Sequence, residues 1–220
     1  EKRELEMLKY SDYIGLFRTE FLYMNSDHMP TEEEQFQTYR DVLQIADGKP
    51  VTLRTLDIGG DKTLPYFNLP KEDNPFLGTR ALRLCFIHPD IFKTQLRAAL
   101  RASVYGKLKI MFPMVGSLDD FDRAMEIVRQ VKQELELKQI PYSSSVQFGI
   151  MIEIPAIALL AEKAAMKADF ASIGTNDLCQ YLSAADRMNQ DVTTYYNASI
   201  PSALRLIHYV AQCFGRERKT

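Results

Sequence analysis

Gly149-Ile-Met-Ile-Glu-Ile-Pro155 and Ala171-Ser-Ile-Gly-Thr-Asn-Asp177 are two short apolar runs, each ending abruptly in polar residues. Between them, Ala156 to Ala168 (AIALLAEKAAMKA) is rich in Ala and Leu and has the length of a crossover helix. Strand, helix and strand of this size make a βαβ unit, whose two strands run parallel and end at one edge of a sheet. That edge would carry Glu153, Asn176 and Asp177. Two carboxylates at neighbouring strand ends suit a hard divalent cation such as Mg²⁺, which takes one or two protein carboxylates and leaves room for substrate oxygens. The same two residues also suit helix starts, where acidic side chains are common. Residue types alone leave both readings open.

The alternation of strand and helix continues outward from this unit. Glu1 to Ser11 reads as the end of a helix with Leu5 and Leu8 on one face, and Tyr13 to Phe17 as a strand running into Arg18-Thr-Glu20. Thr31 is an N-cap with Glu34 at the capping-box position, opening a helix to about Ala46 that Asp47-Gly48 ends. Val51 to Leu56 is the next strand, followed by a polar loop from Asp57 to Asn74. Thr79 to Leu84 reads as a short helix, and His88-Pro-Asp90 opens a longer one to Tyr105. Lys109 to Pro113 is a strand and Leu118 to Leu137 an amphipathic helix. Val146 to Ile152 and Phe170 to Ile173 are the last strands, and Pro201 leads a helix over Ser202 to Phe214.

Such alternation argues for a parallel α/β architecture. Arg18, Arg54, Glu153 and the Asn176-Asp177 pair all fall at strand ends, the edge that carries the active site of a parallel barrel. Five strands are fewer than the eight of a closed (β/α)₈ TIM barrel. Glu1 to Tyr10 begins in mid-helix, and the sequence stops at Gly215-Arg-Glu-Arg-Lys-Thr220, where a loop would lead into another strand. The expectation is therefore one partial barrel domain over residues 1–220, cut from a longer protein.

At 46% hydrophobic, the chain can bury a substantial core. A net charge of −2 leaves no electrostatic footprint for nucleic acid. Cys85, Cys179 and Cys213 are spaced for neither a zinc site nor a disulfide framework, and free thiols fit a reducing cytosol. No signal peptide opens the chain, and no apolar run reaches the length of a membrane span.

Arg18 and Arg54 each occur as Arg-Thr after an apolar strand, a context in which two guanidiniums could clamp phosphate or carboxylate. Arg18 could instead pair with Glu20 at the surface. Asp57-Ile-Gly-Gly-Asp-Lys62 offers glycines that allow close backbone approach and a lysine for a phosphoryl oxygen, or simply a turn. Asn74-Pro-Phe-Leu-Gly-Thr-Arg80 presents a further arginine, with Arg83 one helical step on. Arg187 could serve the site or pair with Asp186 or Asp191. None of His28, His88 and His208 lies in a nucleophile context, and His208, at helical spacing with Leu204, reads as a packing residue. A cation on two carboxylates amid arginines and a lysine suits a small substrate bearing both phosphate and carboxylate. Metal and guanidiniums would stabilise an enolate or a transferring phosphoryl group.

Ile14-Gly-Leu-Phe-Arg-Thr-Glu-Phe-Leu-Tyr-Met24, Arg54-Thr-Leu-Asp-Ile-Gly-Gly-Asp-Lys62, Asn74 to Arg83, Met111-Phe-Pro-Met114 and Ser172-Ile-Gly-Thr-Asn-Asp-Leu178 closely resemble the Enzyme I family of the bacterial phosphoenolpyruvate:sugar phosphotransferase system. The likeness covers essentially the whole chain and falls in that family's C-terminal phosphoenolpyruvate-binding barrel. It implies that Arg18 and Arg54 hold the phosphoryl group and that Glu153 and Asp177 bind Mg²⁺. It further implies that Asn176 and Arg187 contact substrate and that Arg80 assists phosphoryl transfer; Lys62 and Asp177 are expected to join the substrate-binding set. The phosphoryl group would pass to a histidine on a separate N-terminal domain and on to the carrier HPr, in a cytoplasmic homodimer whose other product is pyruvate. Cys179 stands where Thr is usual and Met188 where Gly is usual. The family's catalytic cysteine, in a Gly-Met-Cys-Gly-Glu stretch beyond Thr220, and its phosphorylated histidine lie outside the chain, so the expectation is no turnover by this piece alone. Pyruvate phosphate dikinase and phosphoenolpyruvate synthase share the Gly-Thr-Asn-Asp-Leu string and are the rival enzymes. A non-catalytic ligand-sensing or dimerisation module is the rival of another class.

Overall fold

The computed structural model describes residues 8–60, 64–67, 70–197 and 199–220, with Lys9 as backbone alone. The helix expected at the start of the chain lies mostly outside the described residues; what is described there is one 3₁₀ turn, Leu8–Tyr10. Five strands follow: β1 (Ile14–Arg18), β2 (Val51–Arg54), β3 (Leu108–Phe112), β4 (Gln147–Ile152) and β5 (Phe170–Ile173). Within each unit their order across the sheet is their order in the sequence. The chain divides into two compact units, Glu1–Met111 with Ala124–Gln147, and Phe112–Arg123 with Phe148–Thr220.

In the first unit β1 pairs parallel to β2, with Phe17 opposite Leu53 and Arg18 opposite Arg54. β2 pairs parallel to β3, with Arg54 opposite Met111. Every residue of β2 is buried, as expected of a parallel strand covered on both faces. Helices α1 (Glu20–Met24), α2 (Glu32–Ile45), α3 (Ala81–Ile87) and α4 (Pro89–Ala102) belong to this unit. The capping box opens α2 as expected: the Thr31 hydroxyl accepts from the Glu34 N–H at 3.3 Å, and the Glu34 carboxylate accepts from the Thr31 N–H at 2.8 Å. In α4, Pro89 occupies the first turn, where a missing N–H costs no helical hydrogen bond. The helix buries Phe92, Leu96, Ala99 and Leu100 along one face. Each large apolar side chain so buried contributes about 1.5–3 kcal/mol.

In the second unit β4 and β5 pair parallel, from Gly149 opposite Phe170 to Ile152 opposite Ile173. Gly149 is required there, because a Cβ would come within 2.6 Å of the Phe170 carbonyl oxygen. Phe112 stacks on Phe148 with ring centroids 6.2 Å apart. Helix α5 (Leu118–Leu137), which has the bounds its periodicity predicts, is shared, with Ala124 onward in the first unit, whereas helix α9 (Pro201–Arg216) belongs to the second.

The structure departs from the sequence reading in four places. The crossover helix is two pieces, α6 (Pro155–Leu159) and α7 (Ala161–Lys167), broken at Leu160. Ala-rich sequence propagates a helix but does not prevent tertiary packing from breaking it. Asn176 and Asp177 are not on a strand end; they lie in the first turn of an additional helix, α8 (Thr175–Ser183). The segment after Arg18 likewise forms α1, whose five residues are too few for a periodic signal. His208, read as a packing residue, is exposed on α9, as is Leu204.

Candidate active site

The first unit gathers four buried charges at the end of β2. Arg54, the last residue of that strand, pairs with the Glu20 carboxylate from the first turn of α1 and with Asp57 Oδ2 at 3.1 Å. Asp57 Oδ1 in turn holds Arg80 Nη2 at 3.0 Å. Glu20, Arg54, Asp57 and Arg80 are 1%, 7%, 2% and 1% exposed, so carboxylate and guanidinium alternate in a nearly dry setting. Burial, and then the nearby Asp57 charge, push the Cys85 thiol up to about 12, which leaves it a neutral packing group. The surface pair of Arg18 with Glu20, the alternative left open by the sequence, is not what forms. Glu20 turns inward to Arg54, while Arg18 is exposed and lays its guanidinium over the Phe21 ring, 4.5 Å from the centroid.

Polar groups from distant elements fix this strand end. The Thr19 hydroxyl donates to the Arg54 carbonyl at 2.9 Å. The side-chain amide of Gln95, on α4, donates to the Thr19 hydroxyl at 3.1 Å and to the Tyr39 hydroxyl at 3.2 Å, and its Oε1 accepts from the Leu56 N–H at 2.8 Å. Arg80 is reached through a second contact: the Ala81 N–H donates to the Ile58 carbonyl at 2.9 Å. Gly59 has φ +108°, and a Cβ there would lie 2.5 Å from Arg80 Cβ. The close backbone approach expected of this glycine pair is therefore made to the Arg80 backbone. Lys62 lies outside the described residues. Arg83 is exposed and donates to the Leu77 and Gly78 carbonyls at 2.7 and 3.2 Å.

The second unit holds the carboxylate group of residues. Glu153, directly after β4, is 1% exposed, and its Oε1 accepts from the Met114 N–H at 2.6 Å. Met114 has φ 54°, a conformation uncommon outside glycine and asparagine. The helix after Glu153 has Ile154 as its N-cap with no side-chain cap bond, so Glu153 does not act there as a helix cap. Gly174 follows β5, and a Cβ on it would fall 2.8 Å from both Glu153 Cβ and Oε2. Asp177 is 6% exposed, and its Oδ1 pairs with Arg187 Nη1 at 3.2 Å, in place of the pairs with Asp186 or Asp191 that spacing suggested. Asn176 Oδ1 accepts from the Tyr196 hydroxyl at 3.2 Å, and burial raises the pKa of that phenol.

Among the described residues, no three His, Cys, Asp or Glu side chains gather as a metal cluster. Two carboxylates, one of them beside a glycine at which a Cβ would crowd it, still fit an ion that needs only one or two from the protein. Sequence reasoning missed Glu20 as the partner of Arg54, Asp57 as the partner of Arg54 and Arg80, and Gly174 as the spacer beside Glu153. Each sits within a quoted string, but no local rule says which partner it meets.

The family described as PEP-utilising enzyme, PEP-binding domain matches residues 5–220. Over 206 residues the chain is 56% identical to a phosphoenolpyruvate-protein phosphotransferase of Listeria monocytogenes and 54% identical to one of Priestia megaterium. Both alignments take in 94% of this chain, which spans 36% of the length of either relative. Among solved structures, a citrate lyase from Burkholderia xenovorans LB400 superposes with a TM-score of 0.53 at 14% identity, over 86% of this chain and 49% of that one. That likeness speaks for the fold alone. By the family match and these relatives, the chain belongs to the PEP-utilising enzymes and carries their PEP-binding domain.

Proposed function

We propose that the chain is part of the (β/α)₈ barrel of a phosphoenolpyruvate-protein phosphotransferase, binding phosphoenolpyruvate and Mg²⁺. The phosphoryl group would pass to a histidine of an N-terminal domain and then to HPr in sugar uptake, within a cytoplasmic homodimer. The observation that carries the reading is the pair of buried guanidiniums, Arg54 and Arg80, held at one strand end on the carboxylate of Asp57. Guanidiniums keep their charge when buried and offer planar donor pairs that match phosphoryl oxygens. Arg18, the register partner of Arg54, would join them, as would Lys62.

Glu153 and Asp177 would hold the Mg²⁺. When bound, the ion supplies positive charge to the phosphoryl and enolate oxygens. Asn176 and Arg187 would contact the substrate, and Arg80 would assist transfer. The P–O bond to the enolate oxygen breaks as the bond to the histidine nitrogen forms. The enolate left behind takes a proton to become pyruvate, a step the resemblance gives to a cysteine beyond Thr220. The names of the relatives favour this reading over a dikinase-type barrel. Calorimetric titration with phosphoenolpyruvate, with and without Mg²⁺ and repeated on Glu153→Ala, tests it. Heat that requires Mg²⁺ and vanishes in the variant is expected. A folded protein that gives no Mg²⁺-dependent heat overturns the reading.

A further inference from the structure

We infer that Asp57 is the positioning residue of the phosphoryl-binding arginines: its two oxygens, one to each guanidinium, set the spacing and aim of Arg54 and Arg80. The inference rests on the function proposed above and adds to it a residue that would act through the two arginines. Asp57 is 2% exposed and holds Arg54 through Oδ2 at 3.1 Å and Arg80 through Oδ1 at 3.0 Å. A single carboxylate shared in this way ties the two guanidiniums to each other. Glu20, by contrast, pairs with Arg54.

The loop that carries Asp57 is held from both sides. Upstream, the Leu56 N–H is bound by Gln95 Oε1 at 2.8 Å. Downstream, Gly59 runs so close to Arg80 that no Cβ fits, and the Ile58 carbonyl takes the Ala81 N–H at 2.9 Å. Ala81 itself has φ 49°, a left-handed conformation that a non-glycine residue keeps only where its surroundings over-determine it. A carboxylate on so constrained a loop can fix an arginine that would otherwise sample many rotamers. A role in stability alone is a poor account of it. Buried ion pairs often contribute no more to stability than well-packed apolar residues of the same volume.

The test is steady-state phosphotransfer from phosphoenolpyruvate by the intact protein, comparing wild type with Asp57→Asn, Asp57→Glu and Arg54→Ala, each with a thermal melt. Asp57→Asn keeps the shape and removes the charge that holds both guanidiniums. Its kcat is expected to fall about 100-fold, the scale of a misplacement of about 1 Å, with KM moving by less than about threefold. Asp57→Glu keeps the charge but moves it outward by one methylene, and a loss of about tenfold is expected. A lower melting temperature with unchanged kcat in Asp57→Asn would mark a purely structural role and overturn the inference. If Asp57→Asn does not fold, Asp57→Glu decides: wild-type kcat there overturns positioning, and a tenfold loss supports it. Arg54→Ala separates the two levels. If it abolishes transfer while Asp57→Asn does not impair it, only the positioning role falls; if it leaves transfer intact, the site reading falls and the role of Asp57 with it.

Discussion

Gly174 shows how a residue without a side chain can govern one that has a charge. Its Cα lies where a methyl group would press on Glu153 Cβ and Oε2 at 2.8 Å, contacts that real Cβ atoms essentially never make. Its own φ of −83° is ordinary, so the constraint is space and not backbone conformation. We expect Gly174→Ala to displace the Glu153 carboxylate from its hydrogen bond to the Met114 N–H. Overpacking of this kind costs about 1–3 kcal/mol of stability. If Glu153 holds Mg²⁺ as proposed, displacing its carboxylate lowers affinity about 10–100-fold. Titration of Mg²⁺ into the variant and the wild type reads the second effect, and equal affinities would show that Glu153 does not hold the ion.

At the scale of elements, α4 is more than a cover for the sheet. Gln95 is 0% exposed on that helix and reaches α2 through Tyr39 and the ends of β1 and β2 through Thr19 and Leu56. Tyr39 and Tyr23 both donate to Gln35 at 3.0 Å, and burial raises the pKa of both phenols, so the network stays neutral across the physiological range. Gln95→Leu keeps the volume but leaves the Leu56 N–H and the Thr19 hydroxyl without this partner. A loss of about 1–3 kcal/mol for each stranded group is expected in urea denaturation. Activity should fall with it, because the Thr19 hydroxyl also holds the Arg54 carbonyl. A Gln95→Leu variant as stable as wild type would refute the account. A helix-start motif and an apolar stripe made α4 legible in advance, whereas the short α1 and α8 had too few residues for periodicity and emerged only with the folded chain.

For the whole molecule the clearest expectation concerns acid. Glu32 and Glu134 are pulled upward by burial, but hydrogen bonds to Arg97 and Arg101, and to Lys93 and Arg97, leave both below the ordinary carboxylate value of 4.5. Hydrogen bonds lower Glu126, to Arg129 first, and Glu34, to the Thr31 backbone first. A carboxylate with a depressed folded pKa contributes stability above its unfolded value and loses it as pH falls through the folded one. The urea midpoint should therefore hold steady at neutral pH and decline below about pH 4.5. His28 has the opposite sign: its hydrogen bonds to Asp27 and then Glu34 raise its pKa from 6.5, so its contribution is present below that value and fades as pH rises through the folded pKa. A melting profile of His28→Ala that kept the same alkaline decline would exclude this residue as its source.

What the sequence determined by itself was local. Alternating apolar and polar residues, proline and glycine punctuation and a capping box are readable within a few residues, and they foretold five strands, α5 and the start of α2. The resemblance carried by intact strings such as Arg-Thr-Glu-Phe-Leu and Asp-Ile-Gly-Gly-Asp-Lys assigned the site residues, because a string can be recognised without knowing what it touches. Only the tertiary structure decided the partners: Glu20 with Arg54 across 34 positions, Gln95 with Thr19 across 76, Gly174 beside Glu153. Electrostatic and hydrogen-bond energies depend on distances in space, and packing sets those distances between residues far apart in the chain.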